Sequence, residues 1–306
     1  MNGETAGERV SDEAPRIFTL IVNPAAGGGR AGRALDAVRR ALEASGDRYH
    51  VELTRSIEHA GELAAGAAAA GEVAVAFGGD GLIGAVAGAL RDSDGVLGVL
   101  PGGRGNDLAR VLRIPLEPVA ACAVLTSGGV RPLDLGEAEG RTFVGIASCG
   151  FDSVANRIAN ETRIVRGNLV YAYGAIRALS GWKPARFELT LDDGREHVVI
   201  GYSVGAANSK AYGGGMYAAP DAELDDGLLD IPTCADMPKW RFLTSLLPKL
   251  FDGTHVNLPE VTVLRASEVT IAADRPFTLY ADGDPIAELP ATVRALPAAV
   301  RVIAPQ

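Results

Sequence analysis

From residue 17 to residue 101 the chain alternates short, almost wholly apolar runs with longer stretches whose apolar positions recur every three or four residues. The runs at 17–22, 73–77 and 96–100 show little polar alternation, the pattern of strands covered on both faces. Between them, 31–44 predicts a helix with Leu35, Val38, Ala41 and Leu42 on its inner face, and the alanine-rich 60–70 predicts a second. Shorter helices are predicted to begin near Ile83, Asn106 and Val119. A strand, loop, helix alternation of this kind builds a parallel sheet covered by helices.

After about Val130 the pattern changes. Strands are predicted at 142–148 and 185–191, and Asp193-Gly194 supplies a hairpin turn into 198–206. Two helices interrupt, at 152–162 and 168–179, and further strands at 261–264, 269–272, 277–280 and 292–295 make this half mainly antiparallel. The chain therefore divides into a flexible tail at 1–15, an α/β domain at 16–135, a mainly antiparallel β domain at 136–295, and a terminal segment at 296–306 that is apolar enough to return to the first domain.

Composition supports a folded chain of two domains or one large α/β unit: 306 residues with 47% hydrophobic positions and 38 glycines. A formal net charge of −9 argues against a broadly basic surface for nucleic acid or for polybasic membrane anchoring and leaves room for a local basic patch. Cys122, Cys149 and Cys234 are odd in number and lack metal-ligand spacing, so they read as reduced, buried thiols of a cytoplasmic protein. The first fifteen residues are polar and carry no apolar leader, and no run of about 18 apolar residues offers a transmembrane segment.

Chemistry concentrates where the predicted strands end. Gly78-Gly79-Asp80-Gly81 follows the second apolar run, Asn23-Pro24-Ala25-Ala26-Gly27-Gly28-Gly29-Arg30 the first, and Pro101-Gly102-Gly103-Arg104-Gly105-Asn106-Asp107 the third. In a parallel sheet such loops gather at the carboxyl edge, where glycines let the backbone approach phosphate and helix N-termini favour anions. Arg30, Arg33 and Arg104 could pair phosphate directly. None of the loops matches GxxxxGK[ST] or GxGxxG. In the second half, Asp221, Asp225, Asp226 and Asp230 surround Gly227-Leu228-Leu229, and Asp282-Gly283-Asp284 interrupts a strand pattern. Phosphoryl transfer to an alcohol uses a metal and a carboxylate proton acceptor, which gives such clusters a chemical use; a solvated turn is the alternative.

Taken in order, these motifs, with Gly150-Phe151-Asp152, resemble the bacterial diacylglycerol kinase catalytic family, which is similar to the sphingosine and ceramide kinases. The resemblance covers about Arg16 to Pro305. It implies an N-terminal α/β domain of the NAD kinase and phosphofructokinase kind that binds ATP, and a C-terminal β-sandwich that receives a lipid. By motif, Asn23, Pro24, Gly27, Gly28, Thr54, Gly78, Gly79, Asp80, Gly81, Leu82, Gly84, Gly103, Arg104, Asn106 and Asp107 would line the nucleotide. Asp80 would orient magnesium-linked phosphates or assist deprotonation. Asp226, with the Leu229 carbonyl, Asp225 and Asp230, would hold a structural Mg2+. Asp282 and Asp284 would stand where the family's acidic pair accepts the proton, Asp284 being the favoured base.

Leu82, Gly84, Arg104 and Asp284 depart from the family's usual Thr, polar residue, Thr and Glu. The resemblance implies ATP- and magnesium-dependent phosphorylation of a lipid hydroxyl, diacylglycerol giving phosphatidic acid. Other readings are an NAD kinase-like enzyme and a nucleotide-binding module without catalysis. The lipid would be met at the membrane surface by a cytoplasmic, peripherally associated protein; a homodimer is left open. Tyr171, Tyr173, Trp182, Tyr212 and Tyr217 are candidate lipid-lining aromatics, although such residues are more often core or rim aromatics than lipid ligands.

Overall fold

The computed structural model describes residues 16–161 and 169–306; the tail assigned to 1–15 lies outside them. The first domain begins β1 (Ile17–Val22), α1 (Ala26–Ser45), β2 (Arg48–Leu53), α2 (Ile57–Ala69), β3 (Val73–Gly78), α3 (Asp80–Leu90), β4 (Val96–Pro101), α4 (Asp107–Val111) and α5 (Pro118–Ser127). Strands β2, β1, β3 and β4 lie side by side and parallel, with Phe18 opposite Val73 and Val73 opposite Val96. Phe18, Leu20, Phe77 and Leu100 are fully buried at the centre of this layer, which is why their strands read as continuous apolar runs.

The chain then forms β5 (Gly129–Ala138), β6 (Arg141–Phe143), β7 (Ile146–Gly150), α6 (Phe151–Glu161), α7 (Leu169–Gly181), β8 (Ala185–Leu191), β9 (Glu196–Ala207), β10 (Ala211–Tyr212), β11 (Met216–Tyr217) and β12 (Leu229–Ala235). A helical segment at 239–249 contains a five-residue π turn, Phe242–Leu246. It is followed by β13 (Val261–Ala266), β14 (Glu268–Ala273), β15 (Thr278–Ala281), β16 (Asp284–Glu288) and β17 (Ala291–Ala304). Apart from the contact of β17 with β4, every pairing among these later strands is antiparallel.

Strand β17 joins the halves. Its first part pairs antiparallel with β14, its last part lies parallel to β4 with Arg301 opposite Val96, and β5 runs antiparallel along both parts. The sheet is thus continuous from one domain to the other.

Among the features that differ from the pattern reading, two bear on the site's surroundings. Strand β2 is polar and largely exposed, so its sequence, Arg-Tyr-His-Val-Glu-Leu, carries no apolar run. The single strand predicted at 142–148 is broken into β6 and β7, because the backbone turns at Val144 and Gly145 to meet the Asp282 carboxylate.

Candidate functional site

Strands β1, β3 and β4 end on one edge of the sheet, and the chain leaves each through glycine. Gly27, Gly28 and Gly29 take left-handed φ values of 60, 69 and 86° before the regular part of α1. A Cβ on Gly27 would stand 2.4 Å from the Gly102 carbonyl oxygen, and one on Gly103 would stand 2.4 Å from the Gly79 Cα. The three loops therefore meet backbone to backbone at separations that only glycine permits. Arg30 Nη1 donates to the Gly103 carbonyl at 3.3 Å and Arg33 Nη1 to the Gly28 carbonyl at 3.1 Å, which holds two cations at the rim. Arg104 is exposed and has no side-chain partner among the described residues.

Asp80 opens α3 and ties the second loop to the third. Its carboxylate accepts the Asn106 N–H at 2.8 Å and the Asp107 N–H at 2.7 Å, which caps α4 from outside. Asn106, buried at φ 54°, locks the loop from within: its Oδ1 accepts the Gly103 N–H at 2.8 Å. Asp107 reaches the other domain, its Oδ2 accepting the Gly214 N–H at 2.9 Å from the turn between β10 and β11.

The other Asp107 oxygen, Oδ1, is buried with no hydrogen-bond partner among the described residues. Burial holds this carboxyl above its ordinary pKa, and the nearby Asp80 charge adds to the shift. Two neighbouring carboxylates, one with an unsatisfied oxygen, form a donor set that suits Mg2+, which takes one or two carboxylates plus phosphate oxygens.

Asp282 approaches from the second domain. Asp282 and Gly283 have φ values of 50 and 96°, the positive pair of a two-residue hairpin between β15 and β16. The Asp282 carboxylate accepts the N–H groups of Val144, Gly145 and Ile146 at 2.9, 3.0 and 3.2 Å. A Cβ on Gly84 would stand 3.8 Å from Asp282 Oδ2, so this carboxylate lies against α3, one turn on from Asp80. Burial pushes it up to about 6, opposed by the three N–H groups and reinforced by the Asp80 charge. Asp284, two residues further on, is exposed, and its side chain has no partner among the described residues.

Other candidates are distributed unevenly. Asn23 closes a local turn, its Oδ1 accepting the Ala25 N–H at 3.1 Å, and the Thr54 N–H donates to the Val22 carbonyl at 2.8 Å beside it. Pro24 lies at the same turn, its carbonyl 2.9 Å from where a Gly32 Cβ would be, and Gly81 is exposed at the start of α3. Leu82 does not line the cradle: it is buried in the core and packs over Gly78. An apolar side chain at this position is drawn inward, which corrects its assignment as a nucleotide contact.

In the loop expected to hold structural magnesium, an arginine engages two of the carboxylates. Asp226 Oδ1 accepts the Leu228 N–H at 3.0 Å, its Oδ2 pairs with Arg265 Nη2, and Asp230 Oδ1 lies 3.5 Å from Arg265 Nε. Asp225 is exposed, Leu229 is paired in β12, and no cluster of three metal-type side chains occurs among the described residues. The Arg265 guanidinium contacts both the Asp226 and the Asp230 carboxylates and offsets part of their charge.

Sequence reading missed Arg265, the link from Asp107 to Gly214, and Asn208, whose Nδ2 bridges the carbonyls of Asp134 and Val144 at 2.9 and 3.0 Å. Each depends on a contact across distant residues that no local motif signals. Trp182 is buried and Tyr212 and Tyr217 are half-buried, while the side chains of Tyr171 and Tyr173 lie outside the described residues.

With this geometry in view, comparison with known proteins is specific. Residues 18–138 match the diacylglycerol kinase catalytic domain, and residues 145–304 match the YegS C-terminal NAD kinase beta sandwich-like domain. The chain is 35% identical to a Mycobacterium tuberculosis diacylglycerol kinase over 99% of each chain. It is 29% identical to a Bacillus subtilis diacylglycerol kinase over 70% of this chain and 71% of that one. A Bacillus anthracis diacylglycerol kinase of known crystal structure shares the fold, with a TM-score of 0.72 and 21% identity over 94% of this chain and 96% of the other.

Proposed function

The chain belongs to the diacylglycerol kinase catalytic family, a lipid kinase carrying phosphate to a hydroxyl acceptor, and we propose that its donor is ATP with magnesium and its acceptor is diacylglycerol. The observation that carries the donor half is the partnerless Asp107 oxygen beside Asp80, at the junction of three glycine loops. In this reading the loop N–H groups and Arg104 would hold phosphate oxygens, and Asp80 and Asp107 would hold a magnesium ion. Bound magnesium would neutralise charge on the terminal phosphates.

On the acceptor side, Asp282 is a positioning residue, since three backbone N–H groups occupy its carboxylate. Asp284 is the residue free to accept the hydroxyl proton. The acceptor oxygen then bonds to the γ-phosphorus, the bond from that phosphorus to the bridging oxygen of ADP breaks, and phosphatidic acid results. Support for diacylglycerol comes from the 35% identical mycobacterial relative that carries that name.

Labelled ATP and magnesium, offered to detergent-dispersed diacylglycerol, sphingoid bases and isoprenoid alcohols, test the proposal. Label on diacylglycerol is the expected result. Label on another lipid alcohol would overturn the acceptor, and no label on any lipid would overturn the reaction.

A further inference from the structure

The helical segment at 239–249 and the Phe251 that follows it show two apolar faces. One is anchored: Phe242, Leu246 and Leu250 are buried, and the Phe242 ring stacks on Tyr202 at 4.4 Å and meets Phe151 edge-on at 4.8 Å. The other faces solvent, with Trp240, Leu243 and Phe251 exposed at 67, 41 and 62%. Lys239 Nζ donates to the Ser180 carbonyl at 3.0 Å, which sets this face beside the end of α7. Ile176, one helical turn before Ser180 on the same side of α7, is 62% exposed. Four large apolar side chains thus crowd one surface, where isolated ones would need no explanation.

Charge identifies what this surface meets. Residues 176–183 and 237–251 together carry Arg177, Lys183, Lys239, Arg241 and Lys249 and contain no Asp or Glu, in a chain of net charge −9; Arg241 is paired with Glu260, and exposed Asp236 and Asp252 flank the second stretch, so four of the five cations set the charge of this face. Arg177 and Lys183 have no anionic partner among the described residues. They also line a cavity of about 670 Å³ together with Trp182, Phe277, Arg157 and Arg275. Exposed Trp, Phe and Leu edged by cations are the composition of a surface that sits at a lipid headgroup boundary.

We propose that the face formed by Ile176, Trp240, Leu243 and Phe251 docks the protein on an anionic phospholipid bilayer. The inference rests on the lipid-kinase reading for its purpose, while the binding itself involves neither nucleotide nor acceptor.

Sedimentation with vesicles of phosphatidylcholine, with or without phosphatidylglycerol, tests it in the absence of ATP. The full chain should partition onto the anionic vesicles and be released by salt. Trp240→Ser with Phe251→Ser should weaken partitioning at least about tenfold, since two large apolar groups leave the interface. The chain has two tryptophans, and Trp182 is buried, so emission from Trp240, read in a Trp182→Phe background, should shift to shorter wavelength on binding. The double variant should phosphorylate a soluble short-chain diacylglycerol as the parent does. Equal partitioning of parent and double variant would overturn the proposal. So would a concentration-dependent dimer abolished by the same substitutions, because a second copy would then cover this face. Loss of docking with retained phosphorylation, or the reverse, separates this inference from the assigned reaction.

Discussion

Asp152 and Asp80 show how differently carboxylates of one chain are used. Burial lifts Asp152 from 3.8 to about 6, opposed by a hydrogen bond from Ser203. Because the folded value lies above the unfolded one, the stability it contributes is fully present below about pH 4 and is lost as pH rises through about 6. Asp152→Asn should therefore match the parent near pH 4 and exceed it above about pH 7 by up to ~3 kcal/mol, read from denaturant unfolding across that range. Arg265 is expected to act as the fixed counter-charge of Asp226 and Asp230. Chelation of divalent ions in nucleotide-free protein should leave the melting temperature unchanged. Arg265→Ala should lower stability by about 1–2 kcal/mol, a value reduced by the arginine's own exposure. A melting temperature that falls on chelation would restore metal to this loop. Asp80, Asp226 and Asp282 were all legible as clustered acids at turns. Their separate duties were not, because Arg265 stands 39 residues from Asp226 and the N–H donors of Asp282 more than 130 residues from it.

At the scale of elements, β1, β3 and β4 were legible because both faces are buried, whereas β2, an exposed edge strand, was not. The glycine loops were legible as loops, but their mutual contact is a property of the assembled sheet. Gly103→Ala places a methyl 2.4 Å from the Gly79 Cα, so the second and third loops must separate. The expected outcome is loss of ATP binding by more than about tenfold in calorimetry, since a displaced cradle loses several phosphate contacts together. The helical segment at 239–249 was not recognised, since an apolar run with a proline at each end offers no single periodicity. Its buried face makes a stability prediction: Phe242→Ala should cost about 3–4 kcal/mol in urea unfolding, through loss of the stack on Tyr202 and the cavity left behind. A cost below about 1 kcal/mol would mean that the segment is only loosely attached.

The molecule as a whole is organised by β17 and β5, which run from the β domain into the parallel sheet. Removing residues 300–306 takes away the pairing of β17 with β4 and with the first half of β5, so both domains lose a strand at once. The intact chain should melt in a single transition, and the shortened chain should melt lower or fail to fold, as read by calorimetry. Two separated transitions in the intact chain would show that the shared strand does not couple the domains. The same continuity brings the Asp282 hairpin and the Gly214 turn of one domain to Asp80 and Asp107 of the other. The site is therefore a joint product of both domains, although the motifs that announce it are local.

Transfer of labelled phosphate from ATP and magnesium to diacylglycerol in mixed micelles, run for the parent and for Asp80→Asn with NAD as a second acceptor, addresses that joint site most directly. The account predicts labelled phosphatidic acid from the parent, none on NAD, and a loss of about a thousandfold in Asp80→Asn while the variant still melts as a folded protein. Label on NAD, or undiminished lipid labelling by Asp80→Asn, would contradict it.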